Sequence, residues 1–197
     1  QGDGRFAAFE GEALLADVLG MQVFLERAGR DDPLQQGAAL VGIEIGLGAT
    51  HFQALLNPAL SDGRLSDSAR AVMHAVARAV LDGALPPAAD EQEKAIEAHL
   101  QRLDAAIAAF PSATQAELSQ LLALLAAAPG RVALAGLTSA WSQASVTQVQ
   151  ASLQGMRLSS LALKQQAYHA LRDLTNAAYF SDPSAWQRMG YPGPSDI

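Results

Sequence analysis

Alanine and leucine supply 41 and 28 of the 197 residues, more than a third of the chain. These side chains lose little on entering a helix. β-Branched and aromatic residues, the usual occupants of strands, are thin, and Phe, Trp and Tyr together reach only 6%. Packed helices are therefore expected and a sheet-dominated fold is not. Half of the chain is apolar and 17% is charged, which suits a continuous core and not a disordered chain.

Several classes of function fall away at once. The absence of cysteine rules out disulfides, thiolate zinc, iron–sulfur clusters, covalently attached c-type haem and a cysteine nucleophile. A formal net charge of −7 repels phosphate backbones and speaks against nucleic acid as the partner. No apolar run reaches the ~18 residues of a membrane span. The longest, Gly37 to Ala49, carries Glu44 in its middle. The chain begins at Gln1 without a basic–apolar leader, as expected of a processed or trimmed form.

Apolar residues recur at helical spacing along most of the chain. Phe6 to Ala28 reads as a first helix, and 34–57 as a glycine-interrupted one, with Ile43-Glu44-Ile45 able to form a short strand instead. A loop over Asn57 to Gly63 precedes a helix opened by Ser66-Asp67 and closed by Asp82-Gly83. Ile96, Leu100, Leu103, Ile107 and Phe110 form the cleanest stripe, stopped by Pro111. Ser112 with Gln115, or Thr114 with Glu117, offers a capping box to the next helix, as Ser145 with Gln148 does to a later one. Pro129 suits a first helical position, and Val132 to Trp141 reads as its continuation. The last helix runs from about Leu158 to Phe180, followed by an irregular tail rich in aromatics and proline. The expectation is one all-α, bundle-like domain of about seven helices, with N-terminal helices over 1–60, a helical core over 61–180 and a tail over 181–197. No fixed-period repeat is present.

Little chemistry is visible. His51, His74, His99 and His169 lie too far apart in sequence for local metal spacing and read as surface or satisfied helix histidines. Gly46-Leu47-Gly48-Ala49-Thr50-His51 lacks the third glycine and the strand–helix–strand setting of a dinucleotide site. Glu91, Glu93 and Glu97 read as a solvated face near a helix start. No GxSxG nucleophile elbow occurs. The tail is different: Tyr179, Phe180, Trp186 and Tyr191 gather four aromatics within thirteen residues, with prolines and glycines among them. A stiff aromatic segment must pack either onto its own bundle or onto another protein, and Trp and Tyr are favoured interface anchors.

That segment carries a resemblance. Tyr168-His169-Ala170-Leu171-Arg172-Asp173-Leu174-Thr175, then Ala178-Tyr179-Phe180-Ser181, Trp186 and Gly190-Tyr191-Pro192-Gly193-Pro194, resembles the C-terminal signature of the gluconate 2-dehydrogenase subunit 3 family. Ala79 to Pro86 is similar to that family's helix ending in a Leu-Pro turn, and Leu124 to Arg131 to its Leu-rich helix and Pro-Gly-Arg break. The likeness spans about 65–194; the first sixty residues and the twin-arginine signal of many members have no counterpart here.

The resemblance implies an all-α, non-catalytic small (gamma) subunit in the periplasm, reached after removal of a signal peptide. It assists folding and Tat export of a glucose–methanol–choline-type FAD dehydrogenase acting on a sugar, sugar acid or alcohol, and stays bound to it. FAD, and haem c in a cytochrome c subunit, would belong to those partners, with no catalytic, cofactor or metal residue in this chain. Tyr179, Phe180, Trp186, Tyr191 and Pro192 are the expected partner-binding or tail-docking residues. Two other readings stand beside this one: a self-contained helical adaptor such as a homodimer, and a stand-alone helical enzyme with a site around His51, His74 or His169.

Overall fold

The computed structural model describes residues 58–188 together with 190 and 191. The helices expected over 1–60 lie outside the described residues up to residue 57, as do the Gly46–His51 segment and Pro192. Among those described, seven α-helices and a two-stranded antiparallel ladder form an all-α body.

The ladder pairs β1 (Leu60–Ser61) with β2 (Arg64–Leu65), where a loop was expected. Asp62 and Gly63 both have positive φ, 51° and 72°, as a two-residue hairpin turn requires. A Cβ on Gly63 would lie 3.0 Å from the Ala108 backbone, so this turn seats against a helix only as glycine. Ser119 Oγ accepts from the Ala59 and Leu60 amides, and Asp104 Oδ1 from the Leu65 amide, which ties the hairpin to two helices.

α1 (Asp67–Val80) starts at Ser66, whose hydroxyl accepts from the Ala69 amide, with Asp67 in the first turn. It is the central helix and touches α2 (Ala89–Ala108), α3 (Ser112–Ala126), α5 (Val146–Arg157) and α6 (Ala162–Phe180). Its alanines make this possible. Ala69, Ala75, Ala77 and Ala79 are buried beside Val72, Met73 and Val76, so neighbours approach from several sides. The α2 stripe behaves as its spacing predicts: Ile96, Leu100, Leu103 and Ile107 are fully buried and Phe110 packs at the edge.

Three local expectations are corrected. α3 takes Pro111 as its N-cap with no side-chain cap, because Gln115 Nε2 reaches back to the Phe110 carbonyl instead of boxing with Ser112, and Thr114 is buried. Val132 to Trp141 is not one helix. The chain bends by 83° after α3 into a short α4 (Ala128–Gly130), makes a π-helical turn over Arg131–Ala135 and stops at Gly136, whose φ is +64°. A non-helical stretch over 137–140 then leads to a 3₁₀ turn at Trp141–Gln143, and the Trp141 indole donates to the Leu125 carbonyl at 2.8 Å, satisfying an acceptor at the end of α3. The tail after Phe180 is not wholly irregular, since Pro183–Arg188 forms α7. The Ser145–Gln148 capping box does form, at 2.9 and 3.2 Å. α6 starts at Ala162, leaving Leu158 to Leu161 as an exposed link.

Among the described residues no single helix is long and apolar enough to cross a membrane.

Candidate functional site

The last turn of α6 carries Tyr179 and Phe180 to one end of the bundle. Adjacent helical residues diverge by about 100°, so Tyr179 turns inward, 7% exposed, while Phe180 stays 44% exposed. Their rings meet edge to face at 5.4 Å. The Asp182 carboxylate accepts from the Ser184 amide at 2.9 Å, an Asx turn that starts α7. Ala185 then points into the body and is fully buried.

The segment is closed on itself. Trp186 Nε1 donates to the Phe180 carbonyl at 2.7 Å. Gly190, at φ +73°, reverses the chain so that the Tyr191 amide donates to the Trp186 carbonyl at 2.9 Å, a Schellman-type closure. The Trp186 and Tyr191 rings lie edge to face at 6.0 Å, and Tyr191 remains 50% exposed.

Arg102 fastens this end to α2. Its Nε donates to the Ala178 carbonyl at 3.1 Å and its Nη1 lies 3.5 Å from Asp182 Oδ2. Arg188 stands over the Tyr179 ring at 5.8 Å. Burial alone would raise the Asp182 carboxyl pKa, but hydrogen bonds from Ser184 and the charges of Arg102 and Arg188 outweigh it and hold the group below its ordinary 3.8.

Between these residues opens a cleft of about 190 Å³. The α1–α2 link and the first turns of α2 supply an apolar wall of Leu85, Pro86, Ala95 and Ala98. Arg102, Asp182 and Arg188 give it polar edges, and His99 forms part of the lining. His99 is 1% exposed and neither ring nitrogen has a hydrogen-bond partner. Burial, and then the charge of Arg102, push its pKa down from 6.5 to about 4, so the ring is neutral at pH 7.

The structure thus gathers Tyr179, Phe180, Trp186 and Tyr191 at one end; Pro192 lies outside the described residues. Of the two outcomes expected for the tail, packing onto the chain's own bundle holds for Tyr179 and Ala185, while Phe180 and Tyr191 face outward. Leu158 and Leu161, 67% and 53% exposed, form a second apolar spot at the other end of α6.

Of the three histidines named for an enzyme, two are among the described residues. His74 bonds Glu93 at 3.0 Å on the α1–α2 surface, His169 is exposed and edge-on to Tyr168, and His51 lies outside the described residues. The buried His99 corrects the reading of all four as surface or satisfied. Its signal was present, three residues after Ile96 and four before Leu103 on the buried stripe. Nothing in the sequence pointed to Arg102 or Arg188. Glu91, Glu93 and Glu97 are exposed, as a solvated face should be. No group of three or more metal-ligating side chains occurs among the described residues. Comparison of the chain with family models, curated proteins and solved structures finds no match.

Proposed function

We propose that this chain is a non-catalytic small subunit that binds and stabilises a periplasmic FAD-dependent dehydrogenase of the glucose–methanol–choline type, assisting its folding and export. The substrate of that partner would be a sugar, sugar acid or alcohol, with FAD in the large subunit and haem c in an accompanying cytochrome c. The carrying observation is the C-terminal segment, where the family resemblance concentrates. It is anchored by Tyr179, Ala185 and Arg102, yet holds Phe180 and Tyr191 exposed in a closed, hydrogen-bonded frame. Apolar and aromatic side chains fixed before contact lose little entropy on docking, which is how interface anchors gain affinity.

The test is a pull-down of the full chain from native cells, scored by flavin absorbance, together with maturation of the flavoprotein in cells with and without this chain. Captured flavin, and a drop in exported flavoprotein on deletion, are the expected results. Equal export without the chain would end the assembly role. A homodimer carrying no flavin would favour a self-contained adaptor.

A further inference from the structure

We propose that the cleft beside His99 binds a small organic monoacid, its carboxylate held by Arg188 and Arg102 and its hydrocarbon body laid against Leu85, Pro86 and Ala95.

Charge selects the head group. Two guanidinium groups border the cleft against one carboxylate, Asp182. Arg188 lies on the Tyr179 ring with no carboxylate in ion-pair range among the described residues. Arg102 commits Nε to the Ala178 carbonyl and only a long 3.5 Å contact to Asp182. A guanidinium carries five N–H donors, so both arginines retain capacity for a carboxylate.

Size and lining select the rest. A volume of about 190 Å³ leaves room for a compact acid. The wall of alanine, leucine and proline offers that body no hydrogen bonds. His99 is an independent mark. Buried polar groups almost always find a partner, and His99, which has none in the protein, lines this cleft. The inference does not depend on the dehydrogenase partnership.

Benzoate is the probe, with benzamide as its uncharged match, titrated into the full chain and followed by amide chemical shifts. Benzoate should shift resonances around Leu85, Ala95 and Arg188 saturably at about millimolar concentrations, and about tenfold more tightly than benzamide. Arg188→Ala should abolish that preference, Arg188→Lys should keep most of it, and Ala95→Leu should block both probes by filling the wall. Thermal unfolding without ligand should change little in the Arg188 variants, because Arg188 is exposed and its contact with the Tyr179 ring is a surface one. No saturable shift with benzoate, equal affinity for benzamide, or an unaltered preference in Arg188→Ala would each overturn the assignment.

Discussion

Burying an imidazole without a hydrogen bond sets folding against protonation. With a folded pKa of about 4 against 6.5 when exposed, neutral His99 is compatible with the fold, and the unfolded chain takes up the proton first. Stability should therefore be complete above pH 6.5 and fall as the pH drops toward 4, by about 3 kcal/mol at most. Asp182 titrates below 3.8, under that window. Chemical denaturation of wild type and His99→Leu across pH 4–7 checks this, and the variant should lose the slope and be at least as stable at pH 7, since it removes two unpaired polar atoms. Two glycines make a second contrast. A Cβ on Gly130 would overlap the Leu124 carbonyl, whereas one on Gly155 meets nothing. Gly130→Ala should cost about 1–3 kcal/mol, and helical Gly155→Ala should add about 0.5–1 kcal/mol, both read from urea midpoints.

At the scale of elements, helix ends divide into those closed by neighbours in sequence and those closed by distant groups. Ser66 and Ser145 cap their own helices and were readable, Ser66 by the acid that follows it at Asp67 and Ser145 by a Ser–x–x–Gln pattern that carries its partners with it. Ser145→Ala should cost about 1 kcal/mol by thermal melting. The end of α3 is different. Its Leu125 carbonyl is met by an indole 16 residues on, a partner no local pattern announces. Trp141→Phe strands that carbonyl and leaves a small cavity where the second ring of the indole lay, with an expected loss of at least about 1–3 kcal/mol in urea unfolding. The same bond explains why Val132 to Trp141 is broken: the chain must leave the helix at Gly136 to bring Trp141 back under α3. Extending helical periodicity through Gly136 overlooked its aptitude for the left-handed stop.

Across the whole molecule, α1 is surrounded and the C-terminal segment closes one end. Phe180 and Tyr191 each support that closure through one edge-to-face ring contact, so Phe180→Asp and Tyr191→Asp should lower stability by no more than about 1.5 kcal/mol. Both should weaken flavoprotein capture in the pull-down. Ala185→Asp, which forces a charge into a fully buried position, should instead destabilise the chain. A partner surface on which the fold depended would show larger losses for Phe180 and Tyr191, comparable with that of Ala185→Asp.

The sequence by itself determined the all-α class, the α2 stripe, the start of α1 and the Ser145 box, because composition, a 3.6-residue period and capping chemistry are local properties. Only the tertiary structure decided which sides of the alanine-rich helices are covered, since alanine marks no face and α1 is approached from several directions. It also decided which tail aromatics turn inward, and it placed His99, Arg102 and Arg188 around one cleft although 86 residues separate Arg102 from Arg188. Those are questions of which distant groups meet, and the free energy that answers them comes from contacts made only when the chain closes on itself.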